Sequence, residues 1–137
     1  MDKPKLVVDT NVLLVSISSY SKYHWFYKAL ISDQFDCYIT NEILLEYEEI
    51  IGIKWSESVA KSVTRTLIEL ENVFLTTSHY RLNLIPNDPD DNKFVDCAFA
   101  NNVDFLITND RHFDVLGAIE YPKIKTIRME DFEKLIV

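Results

Sequence analysis

Two acidic residues follow apolar runs that are typical of buried strands. Asp9 follows the run 6–8, and Asp110 comes shortly after the run 105–107. In an open α/β sheet, ligands bind beyond the carboxyl ends of the strands. If both runs are parallel strands of one sheet, their carboxylates lie at the same edge, where they can act on one ligand together.

A predicted helix over residues 41–51 adds two further candidate acids. At roughly 100° per residue, Glu46 and Glu48 lie at the two borders of the apolar face, which is centred near Tyr47. A side chain at either border can reach into a cleft beside the sheet. Helical geometry alone therefore leaves Glu46 and Glu48 as alternatives.

A third acidic segment precedes a predicted helix over residues 91–101. Asp91 shares the apolar face of this helix with Phe94, and an acid on such a face costs free energy unless something satisfies it. Asp91 therefore either caps the helix or binds a metal ion. Asp96 points to the opposite side and is an additional candidate, whereas the acids of segment 88–90 are assigned to a turn.

Asp9, Asp91, Asp110 and one helical glutamate would together form a pocket of oxygen ligands. Closely packed carboxylates raise one another's pKa values unless a cation is present. Oxygen ligands suit Mg²⁺ or Mn²⁺, which also bind the phosphate oxygens of substrates. One or two such ions can activate water and stabilise the leaving oxygen in phosphodiester hydrolysis. The predicted chemistry is therefore metal-dependent attack of water on phosphorus.

Strand-like and helix-like segments alternate along the chain. Short apolar or β-branched runs predict strands at 5–9, 37–40, 73–76, 104–108 and 123–127. Apolar spacing predicts helices at 22–31, 41–51, 56–71, 91–101, 111–116 and 130–135. Thr40 or Asn41 is expected to cap the helix 41–51, Gly52 to end it, and Ser56 to cap the next one.

This alternation predicts an α/β fold with a central parallel sheet of about five strands between two layers of helices. A chain of 137 residues suits a single domain, over residues 1–137. The fold class follows from the pattern because parallel strands need crossover connections, and helices supply them.

Composition narrows the functional classes. The chain carries 22 Asp and Glu against 14 Lys and Arg, a net charge of −8, and has 2 Gly. Few glycines argue against a Gly-rich phosphate loop, and the acidic balance argues against RNA binding by a broad basic face. No segment reads as a leader or a membrane span, so we expect a cytoplasmic protein with Cys37 and Cys97 as reduced core residues.

Four segments together resemble the PIN domain family of metal-dependent ribonucleases. They read VVDTNV at 7–12, TNEILLEY at 40–47, DPDDNKF at 88–94 and DFLITND at 104–110. Their order and spacing resemble, in particular, the VapC-like toxin components of toxin–antitoxin pairs. The resemblance extends over residues 5–128.

The resemblance implies a catalytic metal site of four carboxylates, namely Asp9, Glu46, Asp91 and Asp110. It selects Glu46 over Glu48, and it implies polar support from Asn11 and from Thr10 or Thr108. Asp96 is kept as an additional metal ligand. In typical VapC toxins the third acid falls on the position of Asn92, so this chain is expected to use the neighbouring Asp91 instead.

The resemblance also implies an activity and its partners. The expected protein is an Mg²⁺- or Mn²⁺-dependent endoribonuclease, the toxin of a type II toxin–antitoxin pair, which acts on RNA and is inhibited by an antitoxin encoded alongside. PIN domain toxins frequently form homodimers, so a homodimer or a higher oligomer is expected. No association with a membrane is expected.

Other functions fit the residues less well. A phosphatase that forms an aspartyl-phosphate typically has an acid two residues after the nucleophile, where this chain has Asn11. A receiver-like signalling domain needs an acid after the third strand, where Thr76 and Thr77 stand. A PIN fold that only binds a partner remains an alternative. Lys93 is a candidate phosphate contact, and His112 is assigned to the surface or to a substrate contact.

Overall fold

The computed structural model describes residues 3–86 and 88–136 and contains one five-stranded sheet. Its strands are β1 (Lys5–Val8), β2 (Asp36–Ile39), β3 (Val73–Leu75), β4 (Phe105–Ile107) and β5 (Thr126–Ile127). They lie in the order β3-β2-β1-β4-β5, and every pairing is parallel. The predicted five-stranded parallel sheet is therefore confirmed. The predicted domain 1–137 also includes Met1, Asp2, Asn87 and Val137, which lie outside the described residues.

Six α-helices among the described residues flank the sheet and confirm the predicted α/β class. They are α1 (Thr10–Ser16), α2 (His24–Ile31), α3 (Asn41–Lys54), α4 (Glu57–Glu69), α5 (Asn92–Ala100) and α6 (Met129–Ile136). Short 3-10 segments occupy Pro89–Asp91 and Arg111–Ala118. The last of these replaces the predicted helix at 111–116, and β5 is shorter than the strand predicted at 123–127.

The two long helices begin at the predicted caps. The Thr40 hydroxyl accepts a hydrogen bond from the Ile43 amide at the start of α3, and the Ser56 hydroxyl accepts one from the Val59 amide at the start of α4. The predicted end of α3 at Gly52 is wrong. This glycine does not adopt the left-handed conformation that ends helices, so α3 continues to Lys54.

Helix α1 was not predicted from the sequence. It is only seven residues long and contains two β-branched valines, so its intrinsic helix propensity is low. Tertiary packing stabilises it instead, because Val12 and Leu13 are buried in the core. Since α1 begins immediately after β1, it places Asp9 at the junction between strand and helix.

The core is continuous and contains both cysteines. Cys37 in β2 and Cys97 in α5 are buried and free, as predicted. Phe26, Phe35 and Phe132 pack ring against ring, with centroids 5.0 to 6.1 Å apart. None of the helices in the part of the chain that the structure describes is both long and apolar enough to cross a membrane.

Candidate active site

Asp9 and Asp110 lie at the same edge of the sheet, after the paired strands β1 and β4. Val8 is the register partner of Ile107, so the segments that follow β1 and β4 leave the sheet side by side. The Thr108 hydroxyl donates a hydrogen bond to Asp9 Oδ2 over 2.8 Å and accepts one from the Asp110 amide over 3.0 Å. Thr108 therefore connects both acids and holds the Asp9 carboxylate in one orientation.

Helix α3 brings Glu46 to this edge and directs Glu48 elsewhere. The buried Tyr47 hydroxyl donates to the Val8 carbonyl and so attaches α3 to the end of β1. Glu46 accepts a hydrogen bond from the Thr10 hydroxyl, next to Asp9. Glu48 instead lies 3.5 Å from the Thr64 hydroxyl of α4. Tertiary structure thus separates two glutamates that helical geometry left equivalent.

A lysine lies against Glu46. Lys93 Nζ is 2.6 Å from Glu46 Oε1, and the Lys93 side chain is only 13% exposed. The ammonium group also donates to the Asp90 carbonyl over 2.8 Å. A half-buried cation in this position offsets one negative charge of the acid cluster and brings a positive group within reach of any anionic ligand there.

Asp91 carries the least satisfied carboxylate of the cluster. Its Oδ2 atom is buried and has no hydrogen-bond partner within the described residues. Asp91 precedes α5 in helical conformation and makes no capping hydrogen bond, so the capping alternative does not account for it. Burial, the neighbouring Asp88 and the charges of Asp9 and Asp110 raise the pKa of Asp91 to about 7.

The neighbouring Asn92 is engaged in a different task. Its side-chain oxygen accepts a hydrogen bond from the Ile85 amide over 2.9 Å, and its side-chain nitrogen donates to the Ile85 carbonyl over 3.0 Å. Both groups are buried, so this pair of bonds fixes the loop before α5. Asn92, on which the resemblance places the third acid of typical VapC toxins, therefore holds a loop together here, and Asp91 precedes it directly in the chain.

Asp88 and His112 also join the cluster, although the sequence assigned Asp88 to a turn and His112 to the surface or to a substrate contact. His112 Nδ1 lies 3.3 Å from Asp88 Oδ2, 3.6 Å from Asp110 Oδ1 and 3.9 Å from Asp91 Oδ2. Asp88, Asp91 and His112 form a group whose ligand atoms lie within 4.8 Å of one another. The signals in the sequence were proximity alone, since these residues stand two and three positions from Asp110 and Asp91.

Asp9 is the most buried acid of this cluster, with 6% of its surface exposed. Burial is the main cause that raises the pKa of Asp9 to about 6, and the charges of Asp110 and Glu46 act in the same direction. The Thr108 hydrogen bond opposes the shift. Buried carboxylates that repel one another, with an orphaned Asp91 oxygen among them, fit a divalent cation.

Asp96 and Asn11 do not join this cluster. Asp96 is buried on another side of α5, where its Oδ1 accepts the Leu82 amide over 3.0 Å. Burial raises the pKa of its carboxyl, and the charges that act on it are those of Arg81 and Glu42. Asn11 is exposed in the first turn of α1. The structure therefore brings together Asp9, Glu46, Asp91 and Asp110 and adds Asp88, Lys93 and His112.

The raised pKa values predict how the stability of the metal-free protein depends on pH. Between about pH 4 and pH 7 the folded state binds more protons than the unfolded state, because the pKa values of Asp9 and Asp91 are raised on folding. The free energy of unfolding should therefore be higher at pH 5.5 than at pH 8. Urea denaturation at both values measures it, and the gain should be smaller in Asp91→Asn. A loss of stability towards pH 5.5 in both proteins contradicts the assignment.

A parallel α/β sheet with carboxylates converging at its carboxyl edge defines a class of domain, and sequence comparison identifies the family. A PIN domain sequence model matches residues 5–112. The chain belongs to the PIN domain family. No curated protein sequence matches it.

Two solved structures are similar to the chain in fold. VapBC2 from Rickettsia felis, solved bound to a DNA fragment from its promoter, has a TM-score of 0.62 at 17% identity, over 90% of this chain and 98% of that chain. The PIN domain endonuclease Utp24 has a TM-score of 0.54 at 14% identity, over 90% of this chain and 84% of that chain. At such identities the likeness shows the shared fold.

Proposed function

We propose that this chain is a metal-dependent endoribonuclease that hydrolyses RNA phosphodiester bonds at the carboxylate cluster. The observation that carries the proposal is the buried, unpartnered Oδ2 of Asp91 beside Asp9 and Asp110. An uncompensated buried oxygen costs free energy, and a divalent cation would offset that cost. Two comparisons support the same activity. The chain belongs to the PIN domain family, and one of its fold neighbours is described as a PIN domain endonuclease.

Asp9, Glu46, Asp91 and Asp110 are the proposed catalytic and metal-holding residues, with Asp88 and His112 available beside them. A bound Mg²⁺ or Mn²⁺ supplies activation of water and stabilisation of the leaving oxygen. Thr108 orients Asp9, and Thr10 together with Lys93 orients Glu46. Such hydrogen bonds fix the carboxylates before the ligand arrives, which lowers the cost of organising the site.

Lys93 has a second part in this proposal. Its ammonium group is already placed at the acid cluster, and a phosphodiester that enters the site brings a negative charge towards it. Lysine binds phosphate as a compact positive charge. Lys93 therefore helps to hold RNA at a protein whose net charge of −8 opposes nonspecific binding.

The proposed substrate is RNA, and the proposed protein partner is a cognate antitoxin encoded alongside. This chain would then be the toxin of a type II toxin–antitoxin pair. We also propose that it forms a homodimer or a higher oligomer. The VapBC2 complex supports the antitoxin, because it joins a chain of the same fold to a partner. Co-expression with the adjacent open reading frame, followed by purification through a tag on this chain, examines that part of the proposal.

One observation favours a second function, an interaction module that lacks activity. The Lys93–Glu46 ion pair supplies a cation where a metal ion is expected, as it would in a PIN fold that had lost its metal. That alternative does not account for Asp91, because Lys93 contacts Glu46 and Asp91 Oδ2 still has no hydrogen-bond partner within the described residues.

A pair of glutamate variants tests the proposed function. Wild-type protein should cleave single-stranded or structured RNA with Mg²⁺ or Mn²⁺, and EDTA should stop the reaction. Glu46→Gln should lower the cleavage rate by at least about 100-fold, because a proposed metal-holding carboxylate beside Asp9 is lost. Glu48→Gln alters a glutamate two residues further along the same helix that lies against Thr64 of α4, so this variant should cleave at the wild-type rate. Cleavage that persists in EDTA, or equal loss in both variants, rejects the assignment.

A further inference from the structure

The carboxylates of Asp88 and Asp91 are brought together by one turn of backbone. The Asp91 amide donates to the Asp88 carbonyl over 3.1 Å, at the start of the 3-10 segment Pro89–Asp91. In a 3-10 turn the side chains at positions i and i+3 lie one above the other. Two carboxylates held in this way repel each other unless a proton or a cation lies between them.

His112 brings a nitrogen atom to these carboxylates from another part of the chain. It belongs to the 3-10 segment Arg111–Ala118, which follows β4, and its backbone amide donates to Asp110 Oδ1 over 2.9 Å. This bond caps the segment and holds His112 beside the cluster. Its ring atom Nδ1 lies 3.3 Å from Asp88 Oδ2 and 3.9 Å from Asp91 Oδ2. Two oxygens and one nitrogen from separate segments therefore converge.

Ion pairing alone does not account for this arrangement. Nδ1 can donate one hydrogen bond, whereas carboxylate oxygens of Asp88, Asp91 and Asp110 lie 3.3 to 3.9 Å from it. Within the described residues the His112 ring makes no hydrogen bond, and Asp91 Oδ2 is buried without a partner. The ligand atoms of Asp88, Asp91 and His112 lie within 4.8 Å of one another, and the His112 side chain is 58% exposed. One metal ion can therefore enter from solvent and be shared by all three.

The mixture of donor atoms favours one class of cation. Carboxylate oxygens suit Mg²⁺, Ca²⁺ and Mn²⁺, whereas divalent transition metals from Mn²⁺ to Zn²⁺ also bind sites that contain an imidazole nitrogen. Mg²⁺ prefers oxygen ligands and loses its water reluctantly. A histidine that stands beside two carboxylates therefore discriminates against Mg²⁺.

We propose that Asp88, Asp91 and His112 hold a divalent transition-metal ion and that His112 makes the protein select Mn²⁺ over Mg²⁺. The inference deepens the proposed function, because it rests on the metal site proposed there and names the ion. Asp91 belongs both to this group and to the proposed catalytic carboxylates, so the selected ion lies at the site of the proposed reaction. His112 is a ligand that those carboxylates do not include.

Isothermal titration calorimetry of untagged protein with MnCl₂ and with MgCl₂ measures the selection. Wild-type protein should bind Mn²⁺ at least about tenfold more tightly than Mg²⁺. His112→Gln should lose at least about tenfold in Mn²⁺ affinity and keep its Mg²⁺ affinity, since the loss of even an outer-shell partner costs about 10–100-fold. The matched control His79→Gln alters an exposed histidine outside the group and should bind both ions as the wild type does. Equal affinity of the wild type for the two ions overturns the proposal.

Pulsed electron paramagnetic resonance of bound Mn²⁺ identifies the ligand directly. A nitrogen nucleus should modulate the spin echo in the wild type and in His79→Gln, and this modulation should be absent in His112→Gln. A wild type without nitrogen modulation, or modulation that persists in His112→Gln, overturns the proposal. Nitrogen-ligated Mn²⁺ without RNA cleavage by any preparation supports this site and rejects the nuclease. RNA cleavage with Mn²⁺ that has no nitrogen ligand rejects this site and supports the nuclease.

Discussion

Asp9→Asn should abolish RNA cleavage, with a loss of at least about 1,000-fold. Asp9 is the buried acid between Thr108, Asp110 and Glu46, and asparagine removes its charge while keeping its shape. The proposed metal ion contributes several kcal/mol of transition-state stabilisation, and each 1.36 kcal/mol is about tenfold in rate. Single-turnover cleavage of a labelled RNA measures the effect.

The stability of this variant distinguishes a lost site from a lost fold. The asparagine can still accept the Thr108 hydrogen bond, and it removes a buried carboxylate whose pKa is raised to about 6. Asp9→Asn should therefore unfold at the wild-type temperature or above it in metal-free buffer. The control Asp104→Asn alters an acid that precedes β4 at the opposite edge of the sheet and accepts the Lys5 amide, so it should cleave RNA at the wild-type rate. If a pure preparation of Asp9→Asn cuts RNA as fast as wild type, the carboxylate site is not catalytic.

A divalent cation should raise the thermal unfolding temperature of the wild type by about 9 °C at 100 times its dissociation constant. The physical reason is that a ligand for the buried Oδ2 of Asp91 binds the folded chain and has no preformed site in the unfolded one. Differential scanning fluorimetry with Mg²⁺ or Mn²⁺ against EDTA measures the shift.

Two neighbouring acids provide the control for this effect. Asp91→Asn should be stable without metal but should lose most of the metal-induced shift, because the orphaned oxygen is gone. Asp90→Asn, an exposed residue of the same 3-10 segment, should respond to the cation as the wild type does. An equal shift in all three proteins would place the cation elsewhere and remove the main support for the proposed site.

The ion pair between Lys93 and Glu46 bears on how the site would change when a metal ion binds. The Lys93 ammonium group contacts one Glu46 oxygen and Thr10 contacts the other, so this glutamate is already satisfied. A cation that recruited Glu46 would have to compete with Lys93, whose ammonium group would then be free to contact a phosphodiester bound at the cluster. The two proposed roles of Lys93 are thereby linked.

Several features of the fold were predictable because they depend on short-range pattern. Apolar runs predict where the strands lie along the chain, and capping residues predict where α3 and α4 begin. Two local features were missed for physical reasons. Helix α1 has weak propensity and forms through burial of Val12 and Leu13, and Gly52 has an ordinary helical backbone that its residue type did not indicate.

By itself, the sequence determined the α/β class and the expectation that Asp9 and Asp110 share one edge of the sheet, because the alternation of strand and helix patterns is a property of neighbouring residues. The pairing of β1 with β4, which sets the two acids side by side, came only with the tertiary structure. Only the tertiary structure decided that Glu46 faces Asp9 while Glu48 faces α4. It also joined His112 to the cluster and set Asp96 apart on another side of α5. These choices depend on how helices and loops distant in the chain pack together, which local spacing does not specify.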